Sequence, residues 1–161
     1  MTLLIEDGTG VVGANSYLTV AELRAYAVLR GLTLPTVDSE VEALLVKACD
    51  YLELKSYIGD RASDEQGLSW PRTSIYDPTW KYTDKIPTCL KTAQSLLAVE
   101  AINGELSPAV RPNEYIQTKI DVLYIKYASD DARSAGIRFR AVESTLAPIL
   151  TSSKFITVVR A

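Results

Sequence analysis

Apolar residues recur at helical spacing in two long stretches of the chain. Val41, Leu44, Leu45, Ala48 and Leu52 fall at i, i+3, i+4, i+7 and i+11, and Ile86, Leu90, Ala93, Leu97 and Ala101 mark one face of a second helix in the same way. Between them, Gly59 to Lys85 covers about 27 residues, far beyond the ~2–8 residues of an ordinary helix–helix connection. That loop carries Trp70, Tyr76, Trp80 and Tyr82. Aromatics in such number predict an ordered segment, because disordered ones are poor in them.

Around this pair the chain reads as follows. Thr2 to Ile5 is a short β-prone run, followed by a turn-rich stretch with Gly8, Gly10 and Gly13. The glycines are a weak phosphate-loop signal, since no Lys-Ser/Thr follows and the preceding strand is too short for a Rossmann unit. A first helix opens at Thr19, with Glu22 completing a capping box, Leu18 and Leu23 forming a hydrophobic staple, and Gly31 closing it. Leu23, Tyr26 and Ala27 face inward. Asp38 or Ser39 caps the second helix, which is expected to run to about Tyr57 with Asp50, Glu53 and Lys55 on its wet face. Pro87 at the first position and Asn103-Gly104 at the end bracket the third.

Beyond Asn113 the period shifts. Residues 116–127 alternate as a strand does, with Ile120, Val122 and Tyr124 on one face. A fourth helix carries Val142, Leu146, Ile149 and Leu150 and is shortened or kinked by Pro148, and residues 155–160 are a second strand candidate. The pattern predicts one mainly α domain over residues 1–161, with a four-helix core (19–104 as its main body), a long inter-helix loop, an N-terminal arm (1–18) and a small C-terminal β element within a strand–helix–strand extension (115–161). So few strands leave backbone edges open, which suggests pairing with neighbouring subunits.

Composition narrows the chemistry. A chain of 161 residues suffices for one domain that buries roughly 70% of its unfolded surface. A net charge of −3 argues against general affinity for duplex DNA, though not against a local basic patch. The chain contains no histidine, which removes Ser-His-Asp and Cys-His catalysis, and no cluster has metal-ligand spacing. The acidic pairs Asp64-Glu65 and Asp130-Asp131 read as solvated turn residues. Cys49 and Cys89 read as buried thiols on apolar helix faces. A catalytic role, a cofactor and a metal are therefore not expected. No apolar run reaches the ~18 residues of a membrane span, and the N-terminus lacks a basic signal region, so a soluble protein made inside the cell is expected.

Interaction chemistry is more visible. Trp70-Pro71-Arg72, Tyr76, Trp80-Lys81-Tyr82 and Lys85 interleave aromatics with cations. Three readings stay open: a protein–protein interface, a plug in which Trp70 closes the helical pair while Arg72 satisfies helix-end carbonyls or a carboxylate, or a surface that stacks single-stranded bases. Ile120, Val122 and Tyr124 join Trp70, Arg72, Tyr76, Trp80 and Tyr82 as contact candidates.

Several stretches together resemble a family of phage structural proteins labelled "DnaT-like ssDNA-binding". They are Ile5-Glu6-Asp7-Gly8-Thr9-Gly10 with Ala14-Asn15-Ser16-Tyr17, Ala48-Cys49-Asp50-Tyr51-Leu52, Gln66-Gly67-Leu68-Ser69-Trp70-Pro71-Arg72, Ile86-Pro87, Ile125-Lys126-Tyr127-Ala128 and Leu146-Ala147-Pro148-Ile149-Leu150. The resemblance spans nearly the whole chain and implies a connector-like fold and a head–tail connector in the neck of a long-tailed phage. It implies a homododecameric ring between the portal protein and a stopper or tail terminator. Genomic double-stranded DNA would pass through its channel unbound, and the protein would reside in the virion after synthesis in the bacterial cytoplasm. The alternative is what the label says, a DnaT-like single-stranded-DNA-binding accessory protein of replication. The Trp80-Lys81-Tyr82 region is longer and more aromatic than the family's pattern.

Overall fold

The first helix shows how closely local sequence sets local structure. In the computed structural model, α1 (Val20–Val28) is opened by Thr19, whose side chain accepts the Glu22 N–H at 3.2 Å while the Glu22 carboxylate accepts the Thr19 N–H at 2.8 Å. Both bonds satisfy donors that a helix start leaves open. At the other end Gly31 takes φ +63°, and Leu32 N–H and Gly31 N–H reach back to Ala27 O (3.0 Å) and Val28 O (3.2 Å), the pairing of a Schellman stop. Thr19→Ala is expected to lower stability by about 1 kcal/mol. A lower urea midpoint with an unchanged slope would register it.

The structure describes residues 2–75, 86–106, 117–120, 123–126 and 139–151. Within them it is mainly helical: α1 is followed by α2 (Asp38–Glu53), α3 (Thr88–Glu100) and α4 (Arg140–Leu146). Two antiparallel ribbons complete the list of elements, β1 (Asp60–Arg61) with β2 (Arg72–Thr73), and β3 (Gln117–Ile120) with β4 (Leu123–Lys126). Helix α3 packs against both α2 and α4, and α1 lies on α2. The expected stripes form the core: Val41, Leu44, Leu45, Ala48 and Leu52 from α2 meet Leu90, Ala93 and Leu97 from α3, all buried. Val142, Leu146 and Ile149 seal the α4 side, and α4 stops ahead of Pro148. Each such Val, Leu or Ile side chain contributes ~1.5–3 kcal/mol on burial.

Three local expectations are corrected. Helix α2 begins at Asp38 after Val37, which makes no side-chain cap, because Asp38 instead accepts from Arg24 at 2.7 Å. Arg24 also donates to Pro35 O and Thr36 O, so it clamps the 32–37 connector to α1. Helix α2 ends at Glu53 instead of near Tyr57, since that segment leaves to meet the end of α4. Ile58 N–H donates to Ile149 O (3.1 Å), Thr151 N–H donates to Ser56 O (2.9 Å), and the Tyr57 hydroxyl caps Leu52 O (2.9 Å). The segment expected as an arm is anchored to the core, with Glu6, Ala14, Ser16, Tyr17 and Leu18 buried.

The ribbon β3–β4 pairs within the chain, Gln117 with Lys126 through Ile120 with Leu123. Ladder partners expected from a neighbouring subunit are thus supplied by the chain itself on the paired edges. The candidate strand at 155–160 lies outside the described residues.

Candidate functional site

The residues of the resembling motifs converge on one buried polar network. Tyr17, fully buried, donates its hydroxyl to Glu53 Oε1 at 2.8 Å, while Ser69 donates N–H (2.9 Å) and Oγ–H (2.6 Å) to Glu53 Oε2. Trp70 N–H donates to the Tyr17 oxygen at 3.2 Å. Behind them Gln94 of α3 accepts Tyr17 N–H (3.0 Å) and donates to Ser16 Oγ (2.9 Å) and Leu45 O (3.0 Å). Burial, and then the charge of Glu53, raise the Tyr17 hydroxyl well above the usual tyrosine range, so it stays a donor. Glu53 was expected on the wet face of α2 and is instead the acceptor that joins three chain segments.

The loop ahead of Trp70 docks backbone against backbone on the N-terminal turn. Gly67 N–H donates to Val11 O at 3.2 Å, and a Cβ at Gly67 would stand 2.6 Å from Ala14 N and 2.9 Å from Gly13 N. No side chain fits there. The glycine-rich turn is likewise committed: Glu6, buried, accepts N–H bonds from Gly8 (2.8 Å), Gly10 (2.9 Å) and Val11 (2.7 Å). Those amides form the kind of nest that elsewhere holds phosphate. Here the protein's own carboxylate fills it.

Trp70 is fully buried, edge-on to Tyr57 with ring centroids 6.2 Å apart, so it acts as a plug and not as a surface anchor. Arg72 donates to Ile58 O (2.8 Å), Ser69 O (3.2 Å), Tyr57 O (3.3 Å) and Gly59 O, which ties down the chain leaving α2. Neither is presented to a ligand. Tyr76, Trp80, Tyr82 and Val122 lie outside the described residues. Ile120 falls in β3 and Tyr124 in β4, in adjacent register pairs. Among the described residues, then, Trp70 and Arg72 serve the fold itself.

What the structure does present is a different grouping, where the buried Tyr51 of α2 meets exposed or half-buried neighbours. Lys47 and Tyr51 are one turn apart, and Leu54 and Lys55 extend the same face past the helix end. The Lys55 ammonium lies 4.6 Å from the centre of the Tyr51 ring and 3.3 Å from its hydroxyl oxygen. Phe139, just ahead of α4, meets Tyr51 edge-on at 5.5 Å and 82°, fixing the ring plane. Beside this ring lies a cleft of about 290 Å³ lined by Lys47, Asp50, Tyr51, Leu54, Glu105 and Leu106. Its volume sits near the lower end of the ~300–1,000 Å³ of small-ligand sites. Leu54 is 69% exposed at its rim, a large apolar side chain that the fold itself does not use.

Several other cations among the described residues have partners: Arg24 with Asp38, Lys91 with Glu22, and Arg61 with Gln66 O. A second cation–aromatic pair, Arg30 over Tyr26 at 3.6 Å, stands near the end of α1 and is not among the residues that line the cleft. Cys49, close by on α2, offers no nucleophile, since burial, then Glu53 and Asp50, raise its thiol above the ordinary range. Sequence reading missed the α2 site. The Lys-x₃-Tyr-x₃-Lys spacing was a usable signal, but the cleft wall from Glu105 and Leu106 arises only in the folded chain.

Among known proteins, the profile of the family described as "Putative DnaT-like ssDNA binding protein" matches residues 1–161. No curated protein and no solved structure matches the chain. This corrects the head–tail connector reading: the full-length match carries a single-stranded-DNA-binding description, which fits the accessory-protein alternative better than a neck ring.

Proposed function

We propose that this chain, which belongs to the DnaT-like ssDNA binding protein family over its whole length, binds single-stranded nucleic acid through the outer face of α2. The observation that carries the reading is the lysine pair Lys47 and Lys55 beside an apolar cleft rimmed by the exposed Leu54; the Tyr51 ring is itself buried, and by packing against Phe139 and beneath the Lys55 ammonium it positions that ammonium. Single strands are held in part by cations that follow the phosphates. Lys47 and Lys55 flank Tyr51 at one-turn spacing and supply those cations. Leu54 offers apolar contact to an unstacked base.

The overall charge of −3 opposes long-range attraction, so binding is weak and local. We expect a dissociation constant on the order of 10⁻⁵ M at moderate salt, within the range of non-specific complexes. With two or three phosphates neutralised, log K should fall with log salt at a slope of about −1.4 to −2.1. Fluorescence anisotropy with a labelled deoxyoligonucleotide measures both quantities. Lys47→Glu with Lys55→Glu should weaken binding at least about tenfold, the loss of two phosphate contacts. Arg30→Glu, just past the end of α1, should leave it unchanged. Undiminished affinity in the double variant would overturn the α2 reading.

A further inference from the structure

The lysines at α2 supply cations, but Tyr51 is buried, so the ring at that face is not open to a base. Sites for single strands ordinarily combine cations with a ring. The β3–β4 ribbon brings both together in its register. In an antiparallel pair, residues directly opposite each other share a face, and successive pairs alternate between the two faces. Lys119 pairs with Tyr124 and Gln117 with Lys126, and the pair Thr118–Ile125 separates them. Lys119, Tyr124, Gln117 and Lys126 therefore fall on one face, and Thr118, Ile125, Ile120 and Leu123 on the other. One face is basic and aromatic, while the other is apolar but for Thr118. Neither strand includes an acidic residue.

We infer that Tyr124 is the stacking platform for one base of the bound single strand, with Lys119 and Lys126 of the same face holding the adjacent phosphate; this rests on the single-strand reading above. Charge complementarity decides the occupant. Two lysines with no carboxylate on so short a ribbon favour a polyanion. A ring on the same face then selects a polyanion whose bases are free to stack on it. Duplex DNA keeps its base faces stacked on one another, and an acidic peptide has no base to offer, so either would use the lysines and leave the ring idle. Directly opposite positions of a ribbon stand about 4.5–5.5 Å apart at Cβ, close enough for a ring and a cation to serve one nucleotide.

The test is anisotropy titration of the full chain with a labelled oligo-dC over a range of salt concentrations. Tyr124→Ala should weaken binding at least about fivefold, the low end of what one base stacked on a ring contributes, with the salt slope unchanged. Tyr124→Phe keeps the ring and should retain most of the wild-type affinity. Lys119→Gln with Lys126→Gln should make the salt slope shallower by about 0.7, the loss of one phosphate contact on a single strand. Thr118→Ala, on the opposite face, should change neither quantity. Wild-type affinity in Tyr124→Ala would overturn the inference, as would an equal loss in Tyr124→Phe or an unchanged slope in the lysine variant. In each of these cases the single-strand reading at α2 still stands. Absence of binding by the wild type would overturn that reading and this inference together.

Discussion

Trp70→Ala is expected to cost about 3–5 kcal/mol, the range for emptying a fully buried aromatic site. The side chain has no solvent exposure, packs edge-on against Tyr57, and follows the residue that bonds Glu53. Nothing nearby can collapse into the space, because Arg72 and Gln66 pin the loop to fixed carbonyls on both sides. Domains of this size have only ~5–15 kcal/mol in total. The variant should therefore unfold at a markedly lower urea concentration, with a far-UV spectrum that is native-like only at low temperature. A stable variant that fails only in association would return Trp70 to the role of a surface anchor.

The second large effect is at Glu53. Glu53→Ala strands the Tyr17 hydroxyl, the Ser69 amide and the Ser69 hydroxyl, which meet at 2.6–2.9 Å on one carboxylate. With ~1–3 kcal/mol for each unsatisfied buried donor, and some relief from water at this half-buried position, the loss should be about 3 kcal/mol. Glu53→Gln keeps an acceptor for Ser69 but turns an amide toward the Tyr17 hydroxyl, so it should lose less, about 1–2 kcal/mol. Tyr17→Phe leaves one Glu53 oxygen and the Trp70 N–H unanswered. A double-mutant cycle between Tyr17→Phe and Glu53→Gln should show a coupling of at least ~0.5 kcal/mol, and additivity would mean the two groups act independently.

How much of this was legible depended on range along the chain. The Thr19 capping box, the Gly31 stop and the paired stripes of α2 and α3 depend on neighbours within a few turns, and they formed as read. Glu53 was misassigned because a charged residue near a helix end ordinarily faces water. Only the approach of Tyr17 and Ser69, distant in sequence, gives it a buried role. Glu6 carried a nearer signal, an acid set just before Gly-x-Gly, but the glycines were weighed against a phosphate ligand and not against an internal carboxylate. For the Trp-Pro-Arg stretch, composition could not separate a plug from a contact surface, since both require aromatic bulk and a guanidinium. Residues 116–127 were read as strand alternation that an isolated subunit could hold as a makeshift hairpin, and β3 and β4 pair within the chain in that way. The α2 cleft needed tertiary structure, as its far wall comes from residues following α3.

The most direct test of single-strand binding at the α2 face is a two-dimensional amide spectrum of the ¹⁵N-labelled chain, titrated with a short unlabelled oligo-dC. Amides of Lys47, Tyr51, Leu54 and Lys55, with Glu105 and Leu106 across the cleft, should shift progressively and saturably, while those of α1 and of the turn around Glu6 stay in place. Shifts that map to α1 or to the N-terminal turn, or a spectrum unchanged by excess oligonucleotide, would contradict the account.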